Sequence, residues 1–182
     1  SDADTALWDT LFVPTGNLIQ NNYVHDCGLE DIGGVGIWDH FCQQTKIFNN
    51  VVKTISYAGI HAWNYGTDNY AFALGSGGLR IENNHISNVT LGANDAGGIY
   101  TNGRFPTQAR FIGNLIHDVM GGWNTQTAYQ HGVYFDESSN NIFCDQTITY
   151  NIPTGQNYVF GNNVVPGNIP FGTNYWGQSP GS

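Results

Sequence analysis

Short apolar segments interrupted by asparagine recur at regular intervals along the chain. Four nine-residue segments align without gaps, and each has apolar residues on both sides of a shared Asn. These asparagine segments read LIQNNYVHD, KIFNNVVKT, RIENNHISN and RFIGNLIHD, and the shared residues are Asn22, Asn50, Asn84 and Asn114. The steps between them are 28, 34 and 30 residues, and a fifth segment, YVFGNNVVP, is expected to supply Asn163. A period of this length is typical of stacked repeat folds.

A second apolar segment completes each repeat. It places a glycine before an aliphatic residue and then an aromatic residue or His, and the glycines of these glycine segments are Gly36, Gly59, Gly98 and Gly132. Apolar and polar residues alternate within the segments, and none keeps a helical period. Three short strands in every 28 to 34 residues predict an all-β fold, a single-stranded right-handed parallel β-helix (solenoid) of about five to six coils.

The repeats predict a single β-helix domain over residues 1–182. We expect an N-terminal edge segment at 1–14, coils at 15–165 and an irregular C-terminal tail at 166–182. In every coil the shared Asn would occupy the same corner, where Asn tolerates left-handed backbone dihedrals. Its amide can also bond to the Asn one coil away, because neighbouring strands lie about 4.8 Å apart. The asparagines are therefore expected to build the fold and not to catalyse.

Strand alternation turns the aliphatic residues of the glycine segments inward and the next residues outward. The first outward row is Trp38, His61, Tyr100 and Tyr134, and the second is His40, Trp63, Asn102 and Asp136. Asp39 falls on an inward position. Stacked coils would space these rings about 4.8 Å apart, and sugars bind against aromatic rings. We interpret the rows, with the neighbouring His131, as a carbohydrate-binding groove; the alternative is a ladder of rings that stabilises the coils by stacking on itself.

The charge of the chain narrows its partners. The formal net charge is -9 with five basic residues, so a phosphate backbone would be repelled and nucleic acid is not an expected partner. A neutral poly- or oligosaccharide is compatible with this charge, and a polyanionic one is disfavoured. The sequence has no apolar run of about 18 residues, so no membrane span is expected. We expect a secreted or cell-surface protein.

Residue spacing gives little support for metal or disulfide chemistry. HExxH and paired-Cys motifs are absent from the sequence, so no metal ion or cofactor is expected. A metal ion bound by His40 and His61 is the weaker alternative. Some β-helix enzymes use calcium, but the sequence has no run of carboxylates that would require it. The cysteine count is odd: Cys27 and Cys42 either pair or remain thiols, and Cys144 lies in an apolar run.

Two motifs carry a family resemblance. NDAGGIY (94–100) and GVYFDESSN (132–140) resemble the NDGGxIY and GxYxDxxSS motifs of the right-handed parallel β-helix superfamily of carbohydrate-active proteins, including glycoside hydrolase family 141. The resemblance implies a glycoside hydrolase whose carboxyl pair is Asp136 and Asp95. Such enzymes are usually several times longer and begin with a capping helix, whereas no amphipathic cap precedes Trp8. A fragment, a subunit capped by a partner, or coils that stack end to end as a homo-oligomer would each account for this difference.

Glycoside hydrolysis requires two carboxyl groups that flank the scissile bond. Asp136 points outward by alternation, but Asp95 precedes its glycine by three positions whereas Asp136 follows its own by four. Along a straight strand that offset is roughly 23 Å, and glycosidase pairs lie about 5 to 9.5 Å apart. The pairing therefore requires loop 91–96 to fold back over the face. Glu137 is the substitute partner, and both aspartates have an alternative role as turn residues.

Two other functions remain open on the sequence. A polysaccharide lyase or epimerase would need a cation beside a uronate carboxylate, for which Arg104 and Lys53 are available. A non-catalytic binding or assembly subunit, such as part of a fibre, would account for the absent cap and for a surface rich in Asn, Gly and Thr.

Overall fold

In the computed structural model the chain is nearly all β. The described residues are 14–40, 42, 44–64, 78–121, 130–152 and 156–177. Within them the helical structure is one 3-10 turn at Pro166–Asn168, and no helix in this part of the chain is long and apolar enough to cross a membrane. The predicted edge segment at 1–14 lies outside the described residues except for Pro14.

Fourteen strands, numbered in chain order, form among the described residues. They are β1 (Leu18–Gln20), β2 (Tyr23–Cys27), β3 (Ile37–His40), β4 (Lys46–Phe48), β5 (Val51–Ile55), β6 (Ile60–Asn64), β7 (Arg80–Glu82), β8 (His85–Val89), β9 (Ala96–Ile112), β10 (Leu115–Val119), β11 (Gln130–Asp145), β12 (Ile148–Tyr150), β13 (Tyr158–Phe160) and β14 (Tyr175–Trp176). Each asparagine segment supplies a strand on either side of its shared Asn, as β4 and β5 flank Asn50.

The described strands form two sheets in which every pairing is parallel. Sheet 1 has eight strands in the order β1-β4-β7-β9-β11-β13, with β3 and β6 joined to it through β9. Sheet 2 has six strands in the order β2-β5-β8-β10-β12-β14. Each pairing joins one repeat to the next, as Ile47 pairs with Ile81 and Ile60 with Ile99. Residues one repeat apart in sequence are therefore lateral neighbours in space.

Two long strands connect the glycine segments to the asparagine segments. β9 has 17 residues and β11 has 16. The first half of each strand belongs to a glycine segment, and there Tyr100 pairs with Tyr134. The second half belongs to an asparagine segment, and there Phe111 pairs with Cys144. The register shifts between these halves, directly after Asp136. The strand that carries Asp136 thus runs straight into a strand that builds the core.

One apolar core collects the inward side chains of both sheets. Ile47, Ile81 and Phe111 follow one another in register through sheet 1 and are fully buried. Asp39 is also buried, at the inward position that alternation assigns to it. Burial raises the pKa of its carboxyl group, and hydrogen bonds with neighbouring side chains oppose that rise.

The glycines of the glycine segments stand where the two sheets approach each other. A Cβ on Gly98 would lie 2.2 Å from Ile116 Cγ2 in sheet 2 and 2.9 Å from the carbonyl oxygen of Gly132. A Cβ on Gly59 would lie 2.5 Å from Ile86 Cγ2 and 2.6 Å from the carbonyl oxygen of Gly98. Separations this short do not occur between real atoms, so a larger residue would push the sheets apart. Close packing therefore requires glycine at these positions.

The shared asparagines bond to one another from repeat to repeat. Asn84 Oδ1 accepts hydrogen bonds from the backbone and side-chain nitrogens of Asn50, at 3.1 and 3.0 Å. Asn84 Nδ2 donates to Asn114 Oδ1 at 3.1 Å and to the carbonyl of Ile47 at 2.9 Å. These amides therefore satisfy backbone groups that are buried at the corner between the sheets.

The corners differ from the prediction in two details. The left-handed residue is the one before each shared Asn, because Asn49 and Asn83 have φ values of 54° and 53°. The prediction of Asn163 was wrong, since its segment contains β13, which pairs with β11 as a continuation of the glycine segments. The row of shared residues instead continues through Thr147, whose backbone nitrogen donates to Asn174 Oδ1 at 2.9 Å. The sequence of this segment matches the asparagine segments, but its strand pairs with the first half of β11 and therefore extends the glycine segments.

The three cysteines are free thiols, so Cys27 and Cys42 are not paired. Cys144 is buried in the core, and burial raises the pKa of its thiol to about 12. Phe171 lies in the stretch predicted as a tail and forms a parallel bridge with Cys144. β14, in the same stretch, pairs with β12. Part of residues 166–182 therefore continues both sheets.

Candidate active site

The two outward rows lie side by side on sheet 1. Consecutive rings of the first row are 4.7 to 6.0 Å apart between centroids, with planes within 13° of parallel. These rings belong to Trp38, His61, Tyr100 and Tyr134. In the second row His40 stacks on Trp63 at 4.9 Å, and Asn102 and Asp136 follow in register. The rows form a ladder of stacked rings that leads to a carboxyl group.

Stacking leaves little ring face for a ligand. Trp38, at the start of the ladder, is 55% exposed, whereas His61, Tyr100 and Tyr134 are 5 to 6% exposed. The faces of the inner rings lie against the neighbouring rings, so their polar edges are what remains for outward contacts. An open ring face is present at the Trp38 end. The opposite end presents hydroxyl and carboxyl groups.

A chain of hydrogen bonds runs along the rows to Asp136. His61 Nε2 donates to Asn102 Oδ1 at 2.6 Å. Asn102 Nδ2 donates to the Tyr100 hydroxyl at 3.2 Å, and that hydroxyl donates to Asp136 Oδ2 at 3.1 Å. Burial lowers the pKa of His61, while its bond with Asn102 opposes the change. A neutral His61 with its proton on Nε2 gives every bond in the chain a defined donor.

Asp136 is 3% exposed, and both of its oxygens accept hydrogen bonds. Tyr100 donates to Oδ2, and the backbone N–H of Asn162 donates to Oδ1 at 2.8 Å. Gly161 permits this approach, because a Cβ there would lie 2.2 Å from Asp136 Oδ1. The sequence prediction missed Gly161 and Asn162. The available signal was the Gly161-Asn162 dipeptide, but the sequence pattern places it in an asparagine segment.

Asp95 reaches the same site from the loop that precedes β9. It has a left-handed φ of 60°, and its carbonyl accepts a hydrogen bond from the Tyr57 hydroxyl at 2.9 Å. Burial raises the pKa of Tyr134, and interactions with the carboxyl groups of Asp136 and Asp95 raise it further. Asp95 and Tyr134 also line the same pocket. The loop thus places Asp95 at the end of the ring ladder where Asp136 lies.

Tyr57 was not among the residues predicted from the sequence. Its ring meets Tyr100 edge-on, with centroids 6.1 Å apart. Burial raises the pKa of Tyr57 to about 12, together with the charges of Asp95, Asp136 and Glu137. Three carboxyl groups therefore act on one phenol. The available signal was an aromatic residue two positions before the glycine of its segment.

Glu137 is exposed at a bulge directly after Asp136. Glu137 and Ser138 have left-handed φ values of 43° and 68°, which are costly for residues other than glycine. The Ser139 hydroxyl stands within hydrogen-bonding distance of the carbonyls of Asp136 and Thr101, at 2.6 and 3.0 Å. These contacts fix the bulge and with it the end of the Asp136 row.

A pocket of about 500 Å³ opens where the first row ends. Its lining residues are Asp95, His131, Tyr134, Gln156, Val159, Phe160, Gly161 and Asn162. His131 is 1% exposed, and its Nδ1 has no hydrogen-bond partner among the described residues. Burial lowers the pKa of His131 to about 4, against the charge of Asp136. A neutral imidazole with an unused polar atom therefore borders the pocket.

Neither of the cations available to a lyase, Lys53 and Arg104, lines the pocket. Lys53 is on sheet 2, with Nζ 5.4 Å from the ring centroid of Tyr23. Arg104 is exposed and pairs with Asn140, beyond the bulge. In the part of the chain that the structure describes, no group of three or more His, Cys, Asp or Glu side chains could hold a metal ion. The pocket offers carboxyl, phenol, amide and neutral imidazole groups.

Comparison with known proteins supports the fold. No protein-family model matches the chain, and no curated protein matches it. A solved structure titled "Glycoside hydrolase" superposes with a TM-score of 0.70 at 23% identity, over 90% of this chain and 26% of that one. This chain therefore spans about a quarter of the length of that protein. At this identity the similarity shows a shared fold.

Proposed function

We propose that the chain is a segment of a right-handed parallel β-helix that hydrolyses glycosidic bonds, with Asp136 and Asp95 as its carboxyl pair. The observation that carries the proposal is a pocket of about 500 Å³ lined by Asp95 and Tyr134, where the carboxyl groups of Asp136 and Asp95 both raise the pKa of the Tyr134 phenol. The fold similarity to a structure titled glycoside hydrolase supports the reaction class.

The β-helix assignment rests on the strand arrangement. Successive repeats pair in parallel within both sheets, and Asn22, Asn50, Asn84 and Asn114 bond to one another in a single row of corners. A solenoid winds its chain in this way, so that each coil contacts the coils above and below it.

The environments of the two aspartates suit different roles. Asp136 accepts two hydrogen bonds and is 3% exposed, so its oxygens are held in place as acceptors, as a nucleophile or base requires. Asp95 is exposed at the pocket edge, where it can deliver a proton to the leaving oxygen. The distance between the two carboxyl groups with substrate bound decides between retention and inversion. Glu137 is the alternative partner of Asp136.

The substrate class follows from the groups that surround the pocket. Carboxyl groups and a net charge of -9 disfavour uronates and sulfated sugars, so we propose a neutral oligo- or polysaccharide. Tyr134 and Asn162 line the pocket, where their polar groups can bond sugar hydroxyls, and His131 lies beside them. The exposed ring of Trp38 would stack on another sugar unit of the same bound glycan.

Substitution of each aspartate tests the proposal. We expect Asp136→Asn and Asp95→Asn each to lower kcat/KM about 10²- to 10⁴-fold on a neutral glycan that the chain hydrolyses, because each removes a proton-transfer or nucleophilic group. Glu30→Gln, an exposed acidic residue in another loop, is the matched control and should retain full activity. Circular dichroism verifies that each variant folds. Full activity in Asp136→Asn would refute the assignment.

A second candidate is a non-catalytic subunit that assembles through the first strands. Large apolar side chains near that edge are exposed, and they are Leu18, Tyr23, Leu29, Ile32 and Trp38. β1 and β2 end their sheets among the described strands. Exposed apolar surface beside open strand edges favours association with a further coil, either of a longer chain or of a second copy.

A further inference from the structure

Sheet 2 carries a pair of histidines that the proposed active site does not use. His85 lies at the start of β8 and His117 lies within the neighbouring β10. Their Nε2 atoms are hydrogen-bonded at 2.7 Å, with ring centroids 4.9 Å apart. Both side chains are partly exposed. Two imidazole nitrogens therefore converge on one point at the surface of the sheet.

His117 is oriented by three contacts. Its Nδ1 donates to Asp118 Oδ2 at 2.7 Å, and Asp118 accepts a second hydrogen bond from Asn151 Nδ2. The ring stacks on Tyr150, with centroids 4.7 Å apart and planes within 6°. Because the Nδ1 proton is committed to the carboxylate, Nε2 of the neutral ring presents a lone pair toward His85. A carboxylate that orients the far nitrogen is the usual surrounding of a metal-binding histidine.

We propose that His85 and His117 together bind a divalent transition-metal ion, with Zn²⁺ as the best fit, through their Nε2 atoms. Imidazole suits Zn²⁺, Cu²⁺ and Ni²⁺. Tetrahedral Zn²⁺ with bonds of about 2.0 to 2.1 Å would separate the two nitrogens by roughly 3.3 Å. The rings need to part by about 0.6 Å, which a small side-chain rotation provides. Water completes the coordination shell, because the described residues add no third protein ligand.

The repeat supplies an internal control. His25 occupies the same row of sheet 2 as His117, and its Nδ1 bonds to Asp26 Oδ2 at the same 2.7 Å. The neighbouring strand, however, places Lys53 beside His25. The His25 site therefore has the orienting carboxylate without a second imidazole. Comparison with the His25 site distinguishes metal binding by two imidazoles from the weak binding expected of one exposed histidine.

Calorimetric titration of the metal-stripped chain with ZnCl₂ tests the proposal. We expect one Zn²⁺ per chain with micromolar affinity in the wild type. His85→Asn and His117→Asn should each weaken binding at least tenfold, and Asp118→Asn should weaken it about 10-fold through the outer shell. His25→Asn should bind as the wild type does. Thermal unfolding in EDTA establishes that each variant is folded.

A second readout distinguishes paired ligation from adventitious binding. With Cu²⁺ in place of Zn²⁺, electron paramagnetic resonance should show coupling to two imidazole nitrogens in the wild type and to one in His85→Asn. Absence of saturable Zn²⁺ binding in the wild type would overturn the proposal. A loss in His25→Asn equal to that in His117→Asn would also overturn it. Neither result depends on glycosidase activity.

Discussion

Asp136 and His131 show how burial shapes the site residue by residue. Tyr100 and the Asn162 backbone hold the Asp136 carboxyl from two sides. His131 has lost its water without gaining a partner for Nδ1 among the described residues. The first arrangement fixes an acceptor in place, and the second leaves a buried polar atom unpaired, which lowers the stability of the fold.

The buried His131 should make stability depend on pH. Its pKa falls from an ordinary value of 6.5 to about 4, chiefly through burial. Between those values the unfolded chain binds a proton that the folded chain does not, so the free energy of unfolding decreases as the pH falls from 6.5 to 4. The loss is on the order of 2–3 kcal/mol. Urea unfolding at pH 7 and pH 4.5 should show a smaller loss for His131→Asn than for the wild type.

An exposed residue that does not titrate provides the comparison for this measurement. Gln20→Asn, at an exposed position in β1, should lose as much stability between pH 7 and pH 4.5 as the wild type. An unchanged pH dependence in His131→Asn would show that the imidazole is not held neutral by its surroundings.

At the scale of elements, the glycine segments set the distance between the two sheets. Gly59 and Gly98 each face a branched side chain of sheet 2 and the carbonyl of the next glycine. The same strands carry the outward rings two positions later. Sheet spacing and ring stacking are therefore consequences of one sequence pattern.

Gly98→Ala should destabilise the protein by about 1–3 kcal/mol or more, because the added methyl overlaps Ile116 and the Gly132 carbonyl. Gly167→Ala is the matched control, since a Cβ at Gly167 meets nothing within 4 Å. Chemical denaturation of the two variants gives the difference. Equal midpoints for both would mean that the sheets separate easily, which contradicts the close approach at Gly98.

The period of the sequence predicts which strands pair, but it does not predict where the loops between them place their residues. Rows such as His61 with Tyr100 could be aligned from sequence because parallel strands one repeat apart keep their register. The position of Asp95 could not be derived, because it depends on a left-handed residue and on the Tyr57 hydroxyl that holds the loop. His85 and His117 occupy different positions of neighbouring strands, so alignment of equivalent residues does not reveal that they meet.

At the scale of the whole molecule, large apolar side chains are exposed beside the first strands. Leu29 and Ile32, after β2, are 57% and 65% exposed. Burial of these side chains by a further strand layer or by a second copy of the chain would be favourable, because it removes apolar surface from water.

We expect the chain to associate reversibly through this end at high concentration. Ile32→Lys should shift the equilibrium toward monomer, because a charge at the contact would have to be desolvated. Tyr175→Lys, at an exposed position in β14, should leave the equilibrium unchanged. Sedimentation velocity over a range of concentrations measures both. Equal effects of the two substitutions would place the contact elsewhere.

The short strand β13 forms one side of the pocket, through Val159 and Phe160. It has three residues, and among the described strands it ends sheet 1 with β11 as its partner. The residues just after it provide the backbone N–H that binds Asp136. Strands at the end of a sheet detach locally long before the core melts. Amide hydrogen exchange at Asn162 would therefore report how often its bond to Asp136 opens, and a bound ligand that contacted both β11 and β13 would slow the exchange.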